Sequence, residues 1–335
     1  MRQVEHLEVP VVDLSPFLQG AASDKRDVAK QVARVCEDIG FLTVVGHAVP
    51  EALTQRMYDV SREFFDLPLE AKLRSKGSDP SRGYRPMGDE SLSYSLGNSA
   101  PPDLKETLDV GPVDLPALAY RSSPEASPYF VANIWPEEPL ELRAVWTEYY
   151  REMARLAEVL MRVFALGLGL PVEFFADKID KHITRMRAIN YPPPPGAPLP
   201  GQLRSGAHSD YGSLTILRIE DAPGGLQVVN RRGEWVEVKA LPASFVVNLG
   251  DLMANWTNDR WISTLHRVVN PEPDLVLGSR RQSLVFFHQP NYDAMIECLP
   301  TCQSAGSPPK YPPVTSGEHR RMKFAKTVVP AARRA

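Results

Sequence analysis

His208, Asp210 and His266 offer two imidazoles and one carboxylate, and Arg281 with Ser283 offers a guanidinium fork beside a hydroxyl. Two histidines and a carboxylate on one face of a metal leave coordination positions open, as a non-heme Fe(II) oxygenase needs for a co-substrate and dioxygen. A closed structural site would need a fourth protein ligand. Arg281 can bind both oxygens of a carboxylate through parallel charge-assisted hydrogen bonds, and Ser283 can add another. Together the five residues predict a metal and a dicarboxylate held side by side.

Spacing supports this. Residues i and i+2 of a strand share a face, so His208 and Asp210 at the mouth of one strand can converge, with Ser209 pointing away. A His-x-Asp pair alone is weak. Taken singly, His208 reads as a loop histidine bonded to Asp210, His266 as a core histidine satisfied by a carbonyl, and Arg281 as a surface ion pair. Taken together, in β-type runs that a barrel-like sheet can bring side by side, they favour the metal reading. Arg281 and Ser283 open an otherwise apolar run, Leu284-Val285-Phe286-Phe287, where an inward arginine without an anion is costly.

The elements that must position these residues change character along the chain. Residues 24–39 place Val28, Val32, Val35 and Ile39 at helical spacing, with Ser23 or Asp24 as N-cap and Gly40 as terminator. A short β-rich run over 41–45 follows, then a second helical pattern from Pro50 to Phe65. Residues 75–139, rich in Gly, Pro and Ser, read as loops, and long irregular segments of this kind often serve as lids or binding loops. Residues 140–170 carry Leu142, Val145, Tyr149, Met153, Leu156, Leu160 and Phe164, which predicts the longest helix, with a bracing role. After Thr184 the pattern becomes β-type runs at 186–191, 214–219, 226–229, 235–238, 244–249, 265–269 and 283–288, which predicts a sandwich or barrel. Asn230-Arg231-Arg232-Gly233 reads as a hairpin loop. The expected organisation is an N-terminal mixed α/β region with a substrate loop (1–139) packed onto a helix and β-core (140–300), then a C-terminal extension (301–335).

Composition sets outer bounds. The 335 residues are 43% hydrophobic and 24% charged, as in a soluble globular protein with a sizeable core. A net charge of −3 gives no global attraction to nucleic acid or an anionic membrane, so the expected partner is a small molecule. Cys36, Cys298 and Cys302 form neither a disulfide framework nor a zinc motif. The start, with Glu5, His6 and Glu8, lacks a signal-like pattern, and apolar runs of about 18 residues are missing, so cytoplasmic residence is the default expectation. Oligomeric state stays open.

Asn190-Tyr191-Pro192, His208-Ser209-Asp210, Gly224-Gly225-Leu226-Gln227-Val228, Val247-Asn248-Leu249-Gly250-Asp251, His266-Arg267-Val268 and Arg281-Gln282-Ser283 occur in an order that resembles the isopenicillin N synthase-like 2-oxoglutarate/Fe(II) oxygenases. Val9-Pro10-Val11-Val12-Asp13-Leu14, Gly40-Phe41 and Gly46-His47 extend the resemblance over nearly the whole chain. It implies a mainly β fold with flanking helices, a double-stranded β-helix or cupin-like jelly roll, with iron at its open end. It also implies His208, Asp210 and His266 as metal ligands. Arg281 and Ser283, with Tyr191, would hold the far carboxylate of the co-substrate 2-oxoglutarate, and Asn190 is a further candidate. The implied reaction consumes dioxygen, releases succinate and carbon dioxide, and oxidises an unactivated substrate C–H bond, most commonly by hydroxylation. Desaturation or ring closure depends on where the substrate sits.

Substrate-facing candidates from the loop before the long helix are Arg82, Tyr84, Tyr94 and Lys105, joined by Phe287 on the last core strand. The cations would favour an acidic substrate and the tyrosines a ring or apolar body. Each also reads as an ordinary packing or solvent-facing residue. Three other functions stay open on sequence alone: an Fe(II) oxidase without 2-oxoglutarate, as isopenicillin N synthase is, with Arg281 holding a substrate carboxylate; a non-enzymatic binding protein on the same fold; and a zinc hydrolase, in which Arg281 and Ser283 would have no evident task.

Overall fold

The computed structural model describes residues 8–93, 100–194 and 196–325. Twelve strands among them build two sheets. In chain order these are β1 (Val11–Asp13), β2 (Phe41–Val45), β3 (Gly83–Arg85), β4 (Glu106–Val110), β5 (Arg185–Tyr191), β6 (Ser205–His208), β7 (Leu214–Ile219), β8 (Leu226–Val229), β9 (Trp235–Glu237), β10 (Phe245–Leu249), β11 (His266–Val268) and β12 (Arg281–His288). The large sheet runs β1-β2-β10-β7-β12-β5-β4-β3 and the small one β6-β11-β8-β9. The paired walls are those of a double-stranded β-helix, and the predicted fold class holds.

The large sheet is buried on both faces, but the two faces carry different chemistry. Leu108, Met186, Ala188, Ile216, Val247, Leu284 and Phe286 alternate onto the outer face and join one core with the helices Ala22–Asp38, Glu51–Asp66 and Leu142–Gly167. The inner face carries Lys105, Thr107, Asp109, Arg187, Thr215, Asn248, Arg281 and Ser283, all buried. This explains why 75–139 does not read as strand. Glu106-Thr107-Leu108-Asp109-Val110 has polar residues buried on one side and a mixed set on the other, so it lacks the apolar alternation that marks a half-buried strand. The loops expected there therefore contain β3 and β4. The first 139 residues extend the core sheet at both edges as well as packing on it.

Elsewhere most local signals act as expected. The helix expected over 24–39 spans Ala22–Asp38, but its N-cap is Ala21 rather than Ser23 or Asp24, because Asp24 accepts the Ala21 N–H at 2.9 Å from inside the first turn. Gly40 ends it at φ +65, where a Cβ would lie 2.0 Å from the Ile262 carbonyl oxygen. The long helix Leu142–Gly167 buries Val145, Tyr149, Met153, Leu156, Leu160 and Phe164 at helical spacing against the other two helices and the sheet. Gly233, at φ +77, turns the β8–β9 hairpin.

One polar cluster interrupts the outer face. Glu106 accepts hydrogen bonds from Tyr84 Oη (2.6 Å), Lys72 Nζ (2.9 Å) and Asn190 Nδ2 (2.8 Å), and Arg280 Nε donates to Asn190 Oδ1. Glu106→Ala leaves the buried Lys72 ammonium without its counter-ion, which typically costs about 3–5 kcal/mol. Chemical denaturation should show that loss, whereas the double replacement Lys72→Met, Glu106→Leu should be milder. Equal stabilities for Glu106→Ala and the parent would rule out a structural role for the cluster.

Candidate metal and dicarboxylate site

His208 closes β6, and His266 opens β11 directly opposite it in the ladder. Their rings stand 4.3 Å apart, centroid to centroid. Asp210, just past the end of β6, completes a cluster whose ligand atoms all lie within 4.8 Å of one another. Its Oδ1 is 4.0 Å from His208 Nε2 and 3.9 Å from His266 Nε2. Among the described residues this is the one grouping of His, Cys, Asp and Glu that converges in this way.

The surroundings fix each ligand. His208 Nδ1 is 2.8 Å from the Gly206 carbonyl and His266 Nδ1 is 3.1 Å from that of Thr264. A carbonyl only accepts, so both Nδ1 atoms carry the proton and both Nε2 lone pairs face the cluster, the arrangement of metal-bound histidine. Burial, then the neighbouring His266, pushes the pKa of His208 down to about 3, leaving it neutral. Burial opposes ionisation of Asp210, but the two histidines, Asn248 and Thr215 outweigh it and hold its pKa below the usual value. Thr215 Oγ1 (2.6 Å) and Asn248 Nδ2 (2.7 Å) both donate to Asp210 Oδ2, leaving Oδ1 to face the imidazoles. Ser209 points away, as expected, to Asp251 Oδ2 at 3.2 Å. Two imidazoles that turn Nε2 toward one carboxylate fit an open-sided divalent iron site.

Further down the inner face, Arg281 is 1% exposed, and no carboxylate lies within ion-pair distance of it among the described residues. Its Nη1 donates to the Gly224 carbonyl at 3.0 Å, and its buried Nε has no partner. Tyr191 lies directly across the β5–β12 pair, its ring centroid 5.7 Å from the guanidinium, and Ser283 is two residues along the same face. A buried guanidinium with an unused N–H beside two hydroxyls fits a carboxylate. Arg204, fully buried, braces this end by donating to Pro223 O and Ser279 O. The pair Gly224-Gly225 is explained here: Gly224 has φ +78, and a Cβ on it would lie 2.7 Å from Pro271 N and 2.8 Å from Arg204 Nη1.

The substrate candidates fare unevenly. Tyr84 faces the helices and is committed to Glu106, as is Asn190, the further candidate for the 2-oxoglutarate carboxylate, so neither lines the site. Arg82 is also misplaced: it is buried and donates to the Ser81 and Tyr129 carbonyls. Tyr94 lies outside the described residues. Lys105 is on the inner face near His208, but its charge is committed to Asp103 (2.9 Å) and Glu90 (3.1 Å). Phe287 is on the inner face beside Thr215. Sequence reasoning did not single out Thr215, Arg204, Glu90, Asp109, Arg185 or Arg187. Asn248 was visible only as part of a quoted motif, and the Arg185-x-Arg187 spacing was a signal that could have been read.

Comparisons with known proteins identify the family. Residues 182–290 match the model of the 2OG-Fe(II) oxygenase superfamily, and residues 9–138 match that of the non-haem dioxygenase in morphine synthesis N-terminal region. The 2-oxoglutarate-Fe(II) type oxidoreductase hxnY of Emericella nidulans is 34% identical over 91% of this chain and 86% of its own. A homoarginine-6-hydroxylase of Oryza sativa subsp. japonica is 32% identical over 93% of this chain and 94% of its own. The crystal structure of a full-length Neurospora crassa protein in complex with alpha-KG superposes with a TM-score of 0.81 at 30% identity, covering 95% of this chain and 96% of that one. The chain belongs to the 2-oxoglutarate/Fe(II) oxygenase family. It is an oxidoreductase whose cofactor is Fe(II) and whose co-substrate is 2-oxoglutarate.

Because Thr215 and Asn248 orient Asp210, replacing either by an apolar residue (Thr215→Val or Asn248→Leu) should weaken metal binding about 10- to 100-fold. Anaerobic Fe(II) titration measures this. Unchanged affinity in both variants would show that Asp210 does not depend on them.

Proposed function

We propose that His208, Asp210 and His266 hold Fe(II), that Arg281, Ser283 and Tyr191 hold the far carboxylate of 2-oxoglutarate, and that the enzyme hydroxylates an unactivated C–H bond of a small molecule. The carrying observation is the buried Arg281, which has an unused N–H and lacks an acid partner among the described residues, on the inner face that also holds the Asp210-orienting Thr215 and Asn248. Iron supplies the oxidising chemistry when bound: one atom of dioxygen enters the substrate and the other enters succinate, with carbon dioxide released. The chain's own residues position and exclude. The carbonyls of Gly206 and Thr264 keep the imidazoles in the ligating tautomer, and Thr215 and Asn248 keep Asp210 ionised and turned inward. Arg281 and Tyr191 set the end of the co-substrate, so that its reacting end is presented to the metal. Cytoplasmic residence is part of this reading and rests on the sparse, unpatterned cysteines. Among the described residues, no helix is long and apolar enough to cross a membrane.

Anaerobic titration with Fe(II) and then 2-oxoglutarate should produce the weak visible charge-transfer band of the chelate. His266→Ala should abolish both the band and turnover while the protein stays folded. Arg281→Ala should raise the 2-oxoglutarate concentration needed by roughly one to two orders of magnitude, since a charged hydrogen bond is worth about 1.5–3 kcal/mol. An unchanged requirement in Arg281→Ala would remove that residue from the co-substrate site.

A further inference from the structure

Arg185 opens β5 and faces the same side of the large sheet as Tyr191, at the other end of the strand. Phe287 is its cross-strand neighbour, and Phe287 lies in turn beside Thr215, the donor to Asp210. From the opposite direction, Tyr211 follows Asp210 in the chain and packs edge-on against Phe324 of the helix Ser316–Ala325, with centroids 5.6 Å apart. The Arg185 guanidinium lies 5.7 Å from the Phe324 ring centroid and 5.2 Å from that of Phe287. Asp210, Tyr211, Phe324, Arg185, Phe287 and Thr215 thus form a closed circuit of neighbours that starts and ends at the candidate metal ligand Asp210.

Arg185 is the charge in this circuit without a counter-ion of its own. Its nearest carboxylate oxygen is Asp109 Oδ1, 3.4 Å from Nε. That same oxygen takes the 2.8 Å hydrogen bond of Arg187 Nε, and Asp109 Oδ2 takes the Thr107 hydroxyl. Glu90 is shared by Arg187, Lys105 and Arg85, and Asp103 is paired with Lys105. Four cations in or next to the sheet, Arg85, Lys105, Arg185 and Arg187, therefore face three carboxylates, Glu90, Asp103 and Asp109, among the described residues, and Arg320, 5.1 Å from the Phe324 ring centroid, adds a further positive charge beside Arg185. Burial, then repulsion from Arg187, pushes the pKa of Arg185 down to about 9, which still leaves it charged at neutral pH. The flanking rings add cation–π stabilisation but no hydrogen-bond acceptor, so the guanidinium keeps unused N–H groups. Its side chain remains 14% exposed.

We propose that Arg185 anchors the substrate, and that the substrate is a small organic acid whose carboxylate pairs with Arg185 while its apolar body lies along Phe287 and Phe324. Arg185 and Thr215 are two strand spacings apart, on the order of 10 Å, so the oxidised carbon lies several bonds from the carboxylate. This inference rests on the reading of His208, Asp210 and His266 as the iron site.

The test uses matched acid, primary amide and amine triplets built on linear four- to eight-carbon, phenylalkyl and indolylalkyl bodies. Binding is measured anaerobically by calorimetry to the full chain loaded with Fe(II) and 2-oxoglutarate. At least one acid should bind about tenfold or more tightly than its amide, as expected for a charge-assisted pair, with its amine weaker still. Arg185→Gln should erase that preference while the chelate band titrates as in the parent. Asp109 retains Arg187, so this variant strands no carboxylate. Should it still misfold, Arg185→Lys, which keeps the charge but loses the fork, is expected to show a reduced preference. The proposal is overturned if no acid in the set is preferred over its amide, or if the preference survives undiminished in these variants. A parent protein that forms no chelate band would instead refute the iron and 2-oxoglutarate assignment. The same acid–amide comparison on metal-free protein would then still report on Arg185.

Discussion

The carboxylate of Asp210 joins the two walls of the barrel at the point where chemistry has to happen. Asp210 follows β6 of the small sheet, yet its Oδ2 is held by Thr215 on β7 and Asn248 on β10 of the large one. The histidines are set independently of it, facing one another across the β6–β11 pair and locked by carbonyls. One wall therefore aims the imidazoles and the other aims the acid, and the lone pairs converge only when both sheets are in register. A buried carboxylate is costly unless fully hydrogen-bonded or bound to a cation.

The same constraint on buried charge organises the rest of the inner face. At its deep end Arg281 has two hydroxyls and a carbonyl around it and lacks a protein acid among the described residues. At its mouth a network of arginines, lysine and carboxylates ends with Arg185 in surplus. An interior that leaves guanidinium groups partly unmatched at both ends, with the candidate metal ligands between them, has the charge pattern expected for binding anions that the chain does not itself provide. The apolar helices on the outer face offset this cost: residues such as Phe286, Leu284 and Phe164 supply the hydrophobic burial that the polar interior cannot.

The C-terminal helix Ser316–Ala325 is tied to the same place. Lys323 Nζ reaches Asp251 Oδ2 at 2.6 Å, Asp251 also accepts from Ser209, and the Asp251 N–H donates to the Asp210 carbonyl. Phe324 of the same helix packs against Tyr211, the residue that follows Asp210.

The sequence by itself determined the chemistry and most of the frame. His208 with Asp210 and Arg281 with Ser283 stood out because metal and carboxylate binding ask for particular atoms at i, i+2 spacing, a local demand, whereas His266 joined them only through its place in a distant β-type run. The three long helices and the strands β2, β5, β7, β8, β9, β10, β11 and β12 were legible because apolar periodicity is local too. Tertiary structure alone decided which polar residues look inward. Glu106 and Thr107 are adjacent and both polar, but one is committed under the helices and the other faces the interior, and the single-residue difference in register that separates them is set by pairing with β5. The same pairing turned Tyr84 and Asn190 away from the pocket and brought Arg185 to its mouth. Which charges are matched and which are left over is a sum over partners distant in sequence, and no local pattern carries that sum.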